Sequence, residues 1–178
     1  QLKKTTTEKY KLTHAEMELL WEMSRMTKIK EVEQISTNVA NFELILGELQ
    51  HIDEVRLGAL VCLREKLKFN SENPKLIITT SRQVAVGTLL KIKGNISGKK
   101  KPQEIEATVQ LNTPNFIFVK TSTSADSKMF DNFSSLAVSF RPLRQKMVYQ
   151  FEADPQGAGA NGLQRIEHAD TVKIIEEL

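Results

Sequence analysis

The spacing of apolar residues changes near residues 70–74, in the sequence FNSENP. Before this segment, apolar residues recur at intervals of three and four, which is typical of amphipathic helices. After it, short stretches alternate between apolar and polar residues, separated by clusters of Gly, Pro, Asn and Ser, as in β-strands joined by turns. The pattern predicts an α+β protein whose helices precede its strands.

Residues 13–70 are predicted to form a three-helix module, and the polar residues 1–12 a flexible lead-in. Thr13 and Glu16 have the spacing of a capping box, in which each side chain bonds the other residue's amide. Asp53 is a candidate cap for the third helix. The predicted helices cover residues 13–27, 31–50 and 53–69. Whether the second helix is broken near Ser36 and Thr37 stays open.

The third predicted helix is expected to turn Val55, Leu60, Leu63 and Leu67 towards the core. Cys62 lies among them and is interpreted as a small buried hydrophobic residue. Because it is the one cysteine of the chain, an internal disulfide and a cysteine-rich zinc site are excluded.

Residues 75–178 are predicted to form a small antiparallel β-barrel of six to seven strands, of the split-barrel kind. No helical pattern separates the strands, which excludes parallel βαβ units. The strand candidates are residues 76–80, 87–94, 104–112, 115–121, 135–140, 146–153, 163–168 and 171–175.

A glycine motif of the form GxGxxG occurs at residues 157–162. In dinucleotide-binding proteins this motif follows a strand and opens a helix whose amide groups bind the pyrophosphate. Here it is followed by LQRIEH, which alternates as a strand does. The motif is therefore interpreted as a hairpin loop.

The composition is that of an ordinary globular protein, with 40% hydrophobic and 26% charged residues and a net charge of +3. Residues 1–70 carry equal numbers of basic and acidic side chains, so the excess lies in the β part. No apolar run is long enough for a membrane span, and a cytoplasmic location is expected. Because the sequence begins at Gln1, we expect a longer parent chain, and tethering through an upstream membrane segment stays open.

No arrangement typical of catalysis, metal binding or cofactor binding stands out, so no such residue is predicted. His14, His51 and His168 are scattered. The candidate contacts to a partner or an anion are basic and fall at predicted turns. They are Lys99, Lys100, Lys101, Arg141 and Arg144.

Four stretches, taken in order, resemble one family, the YcgR-like flagellar-brake and cyclic di-GMP receptor proteins. The similarity is to the N-terminal barrel that precedes their PilZ domain (PilZN-like) and covers roughly residues 63–178. The stretches are LREKLKF at 63–69, ITTSRQVAVGTLLKI at 78–92, VYQFEAD at 148–154 and LQRIEHAD at 163–170.

The resemblance implies a non-catalytic regulatory and protein-interaction region of a cyclic di-GMP effector linked to motility. In that family the ligand binds an RxxxR motif after the barrel and a (D/N)xSxxG motif in the PilZ domain. Residues 132–137 are similar to the second motif, but Ala137 stands where Gly belongs. No nucleotide-binding residue is therefore transferred, and cyclic di-GMP is expected only in a PilZ domain downstream of Leu178.

The resemblance implies protein partners, namely that PilZ domain and, as candidates, flagellar motor components. Oligomeric state stays open. The alternative is a nucleic-acid-binding module that uses Lys91, Lys93 and the lysine hairpin, although the charge excess is small for that class. A third possibility is an enzyme whose site is assembled only in space.

Overall fold

A computed structural model describes residues 2–29, 31–49, 52–159 and 162–178. The protein is α+β, as predicted: these residues form six α-helices and an eight-stranded antiparallel sheet. The chain separates into two compact units, Gln1–Asn70 and Ser71–Leu178. Within the described ranges, no helix has the length and apolar character needed to cross a bilayer.

In its described residues, the helical unit has five helices where three were predicted. Residues 1–12, predicted to be flexible, contain the first helix, in which Thr6 is buried and Tyr10 packs against the core. The second predicted helix is divided where the Asn38 side chain accepts hydrogen bonds from the two amides at positions 40 and 41. The helices are α1 (Leu2–Tyr10), α2 (His14–Arg25), α3 (Val32–Ser36), α4 (Val39–Leu46) and α5 (Glu54–Lys66).

Helices α2 and α5 begin at the capping residues that were predicted from the sequence. The Thr13 hydroxyl accepts from the Glu16 amide at 3.3 Å, and the Glu16 carboxylate accepts from the Thr13 amide at 3.3 Å. Asp53 Oδ1 accepts from the Arg56 amide at 2.8 Å and begins α5. These bonds occupy amides that the first turn of a helix leaves without partners.

Of the four residues predicted to face the core from the third helix, Leu60, Leu63 and Leu67 are buried and Val55 is not. Leu60, Leu63 and Arg64 are buried, whereas Val55 is 75% exposed and Cys62 is exposed. At about 100° per residue, positions 55 and 62 lie on the side of the helix opposite to 60, 63 and 64. The interpretation of Cys62 as a buried residue is therefore wrong.

Two nearly buried carboxylates hold the helices of this unit together. Lys66 Nζ lies 2.7 and 2.9 Å from the Glu16 oxygens and donates to the Lys11 carbonyl at 3.1 Å. Arg64 pairs with Glu43 of α4. Because Glu16 also caps α2, Lys66 fixes the end of α5 against the start of α2.

The second unit is built on the sheet, whose strand order is β6-β7-β3-β2-β1-β4-β5-β8. Strands β6 and β8 end the sheet and do not pair with each other, so it is open and the predicted closed barrel is not found. The strands are β1 (Leu89–Ile96), β2 (Gln103–Asn112), β3 (Phe116–Thr121), β4 (Phe133–Phe140), β5 (Met147–Ala153), β6 (Pro155–Ala158), β7 (Gln164–Glu167) and β8 (Lys173–Glu177).

Three local elements differ from the sequence prediction. The strand expected at residues 76–80 is irregular, because Gln83 Oε1 accepts from the amides at 79 and 80 in place of a neighbouring strand. Strand β6 was missed, and so was helix α6 (Ser124–Phe130), which Thr123 caps by accepting from the Asp126 amide at 3.1 Å.

Buried amide side chains explain how residues 71–88 are ordered without regular strands. Gln145 Nε2 donates to three carbonyl groups within residues 71–76 at 2.9 to 3.2 Å, and its Oε1 accepts from the Tyr149 hydroxyl at 2.9 Å. Asn112 Nδ2 donates to three carbonyl groups within residues 81–84 at 2.9 to 3.3 Å. These bonds replace the ladder contacts that buried backbone groups require.

One face of the sheet forms the core of this unit. On β1, Leu90 and Ile92 are buried, while the alternating positions Leu89, Lys91 and Lys93 face outward. The inner face carries a cluster of aliphatic and aromatic side chains from six of the strands, β1 to β5 and β7, and from α6. The opposite face, called the outer face below, is left to carry polar and binding side chains.

Candidate functional site

Two of the stretches that carry the family resemblance meet in the sheet unit. Residues 80–83 form a tight turn, and residues 168–170 lie against it. The Ser81 amide donates to the Ala169 carbonyl at 3.1 Å, and the Ala169 amide donates to the Ser81 hydroxyl at 2.9 Å. We call these two segments the clasp. Each segment belongs to a stretch that carries the resemblance, but their contact was not predicted from the sequence.

A serine and a histidine lie side by side in the clasp. Ser81 Oγ is 2.8 Å from His168 Nδ1, and His168 Nε2 is 2.6 Å from the Thr113 carbonyl. A carbonyl only accepts, so Nε2 donates, and in the neutral ring Nδ1 accepts from the Ser81 hydroxyl. Ser81 is 0% exposed, so its hydroxyl is closed to a substrate and serves to hold the segments together.

Arg82 extends the clasp to the surface. Its Nη1 donates to the Asp170 carboxylate at 2.9 Å, and its Nε donates to the Pro114 carbonyl at 3.3 Å. The Arg82 side chain is 19% exposed, whereas that of Asp170 is 90% exposed. A strongly hydrated carboxylate contributes little through such a pair, so the buried hydrogen bonds dominate the clasp.

The five basic candidate residues do not form one site. Lys99, Lys100 and Lys101 lie exposed at the tip of the β1–β2 hairpin, while Arg141 and Arg144 lie in the β4–β5 turn. In the register of β1 and β4, Leu90 pairs with Phe140 and Ile96 pairs with Phe133. The two groups are therefore at opposite ends of the strands, about 20 Å apart.

Arg141 and Arg144, the other two candidate contacts, lie three residues apart in the β4–β5 turn. Arg141 Nε donates to the Gln145 carbonyl across the turn at 3.1 Å. Arg144 has a φ of 69°, in the left-handed region, at the tip of the same turn. Both side chains remain exposed, so each is available singly to an acidic partner.

A recess of about 510 Å³ lies on the outer face beside this turn. Its lining combines apolar side chains from β1, β5 and the chain end with basic side chains from β1 and the turn. We call it the basic groove. It is lined by Leu89, Lys91, Lys93, Glu104, Ser139, Phe140, Arg141, Val148, Ile175, Glu176 and Leu178.

A second recess, of about 520 Å³, lies further along the same face and has a different charge. Its carboxylates are Glu152, Asp154 and Glu167, and Lys93 lines both recesses. In the part of the chain that the structure describes, no three or more His, Cys, Asp or Glu side chains are placed to hold a metal ion.

Acidic residues stand opposite the lysines of β1. Lys91 pairs in register with Glu106, and Lys93 with Glu104. Opposite charges on neighbouring strands lower the positive potential that nucleic acid requires. The nucleic-acid alternative stays a prediction without support from this register.

The glycine motif begins at Gly157 within β6 and continues into the connection to β7, which pairs antiparallel with β6. Gly157 and Gly162 have φ values of 75° and 73°, which glycine adopts readily. Ala160 and Asn161 of the motif, like His51, lie outside the described residues. Strand β7 follows the motif, so its interpretation as a hairpin loop agrees with the fold.

No protein-family model matches this chain, and neither the curated proteins nor the solved structures contain a match to it. Its function is therefore argued from its own residues and surfaces.

Proposed function

We propose that this chain is the regulatory, protein-interaction region of a cyclic di-GMP effector of the PilZ type linked to motility. It does no chemistry itself, and the nucleotide binds to a PilZ domain that follows it. Binding there changes how that domain packs on the open sheet. A ligand shifts such an equilibrium only by the difference in its affinity for the two arrangements.

The clasp is the observation that carries this proposal. The stretches ITTSRQ and EHAD belong to the segments that carry the resemblance, and they supply both sides of one hydrogen-bond network around the buried Ser81. Short motifs that lie far apart in sequence and meet in space are expected when a family retains a structural junction. The junction connects β7 to β8, the terminal strand of the sheet.

The surfaces of the sheet unit favour binding over catalysis. The Ser–His pair is closed to substrate, because Ser81 is fully buried. The basic groove is instead open and partly apolar, which is typical of a protein contact surface. Nucleic-acid binding is a weaker proposal, because glutamates stand opposite the lysines of β1.

Calorimetric titration with cyclic di-GMP tests where the nucleotide binds. We expect no heat of binding to this chain and tight binding to the complete product of its gene. Reading the coding sequence after Leu178 is the matching control, since RxxxR followed by (D/N)xSxxG is expected there. Tight stoichiometric binding to residues 1–178 alone would contradict the proposal, and so would a gene product that lacks both motifs.

A further inference from the structure

We propose that the basic groove binds an acidic, apolar segment of a partner protein. This inference deepens the proposed function, because it rests on the chain being an interaction module. It names the surface used and the chemistry of the segment that the surface fits.

Several apolar side chains that line the groove are left exposed by the fold. Leu89 is 51% exposed and Ile175 49%, and Val148 is half-buried beside them. All three belong to one recess of about 510 Å³. Exposed apolar side chains grouped in this way gain free energy when a partner covers them, unlike single ones scattered over a surface.

The strand register explains why this surface is concave. Across the sheet, Lys91 pairs with Ser139, Ser139 with Gln150, and Gln150 with Lys173. The small Ser139 side chain therefore lies between longer ones, and two lysines about 14 Å apart stand on either side. A segment about as wide as one helix or one extended chain fits between them.

The charges around the groove select an acidic segment. The turn RPLRQK at residues 141–146 adds three basic side chains and no acidic one at one end of the groove. Among the described residues, no ion pair involves Lys91, Arg141, Lys146 or Lys173. Glu104 and Glu176 in the lining and Glu106 opposite Lys91 offset part of this charge. The basic turn at residues 141–146 leaves an excess that carboxylates complement.

The segment is expected to lie on the face of the sheet and not to extend its edge. The register of β5 and β8 shifts between Val148 and Tyr149, which marks a bulge next to the free edge. Bulges bend an edge strand and oppose the addition of another strand. A flat membrane is a poorer match than a protein segment, because the apolar side chains line a recess.

The probe is a fluorescein-labelled peptide of about 15 residues, with leucines on one helical face and glutamates on the other. A second peptide keeps the leucines and replaces every glutamate by lysine. Fluorescence anisotropy with the full chain is expected to show binding of the Leu–Glu peptide that weakens with salt, and no binding of the Leu–Lys peptide.

Two charge-matched triple variants locate the binding surface. Neutralising the three basic side chains that line the groove, in Lys91→Gln, Lys93→Gln, Arg141→Gln, is expected to weaken binding of the Leu–Glu peptide at least about tenfold. The hairpin variant Lys99→Gln, Lys100→Gln, Lys101→Gln removes the same charge at the other end of β1 and is expected to change Kd by less than about twofold. Circular dichroism checks that both variants stay folded.

Two apolar variants make the same comparison without a change of charge. Leu89→Ser lies in the groove, and Ile77→Ser removes a side chain that is 60% exposed and outside it. We expect only Leu89→Ser to weaken binding of the Leu–Glu peptide. Equal losses from both triple variants, equal binding of both peptides, or no binding at about 1 mM peptide would overturn the inference.

Co-sedimentation with vesicles containing phosphatidylserine separates a membrane from a protein partner. Vesicle binding that is lost in the groove variant, without any peptide binding, would overturn the inference in favour of a lipid surface. None of these results depends on cyclic di-GMP. If the groove does not bind the peptide, the calorimetric test of the proposed function therefore still applies.

Discussion

Removing the Ser81 hydroxyl is expected to destabilise the sheet unit strongly. Ser81 is fully buried, and its hydroxyl accepts from the Ala169 amide at 2.9 Å and lies 2.8 Å from His168 Nδ1. Ser81→Ala leaves both groups without this partner and adds no bulk. The perturbation is therefore a loss of hydrogen bonds, with little change of packing.

The magnitude follows from the two groups that lose their partner. A buried polar group left unsatisfied costs about 1–3 kcal/mol. Because His168 and Ala169 are half-buried, we expect a total in the lower part of the range for two groups, about 3 kcal/mol. The matched control is Ser134→Ala, because the Ser134 hydroxyl donates to the Asn95 carbonyl at 3.1 Å in an exposed position. Water replaces that bond, and we expect a change below about 0.5 kcal/mol.

Urea unfolding followed by two signals measures this change. Far-ultraviolet circular dichroism follows both units, whereas Trp21, the one tryptophan of the chain, reports on the helical unit. For an m-value of about 2 kcal/mol/M, the transition of the sheet unit is expected to move by about 1.5 M urea. Hydrogen exchange at the Ala169 amide supplies the local measurement and is expected to lose its protection in Ser81→Ala.

A double-mutant cycle with His168→Ala decides whether the serine and histidine act together. We expect a coupling free energy of about 1 kcal/mol or more, because the two side chains share one hydrogen bond. The reasoning fails if Ser81→Ala costs no more than Ser134→Ala. It also fails if the Ala169 amide exchanges freely in the unsubstituted protein.

Gly94→Ala is expected to destabilise the sheet unit by about 1–3 kcal/mol in urea unfolding, because a Cβ there would collide with the buried Phe133 ring. A wild-type midpoint in this variant would show that the ring moves aside freely. Lys66→Met is expected to cost the helical unit about 3–5 kcal/mol by Trp21 fluorescence, since it leaves the buried Glu16 carboxylate without its cation. A loss below about 1 kcal/mol would mean that water replaces the lysine. Cys62 is exposed and is expected to react with Ellman's reagent in the folded protein; reaction only after unfolding would contradict its placement.

The sequence alone determined features that depend on neighbours in the chain. The capping box at Thr13 and the cap at Asp53 were predictable because each bond joins residues three apart. The alternation in residues 104–112 was equally informative, since side chains of a strand point to opposite faces in turn. These rules need no knowledge of what packs against the element, and they located α2, α5 and β2.

Tertiary structure decided what depends on distant residues. Residues 76–80 have the composition of a strand, but side-chain amides supply their hydrogen bonds, so no strand forms. The clasp joins side chains 87 positions apart, and the basic groove combines β1, β4, β5 and β8. No local spacing encodes such contacts, because they exist only once the order of strands brings the segments together. The chain itself specified its helix caps and its alternating strands, and packing specified which of their faces could bind a partner.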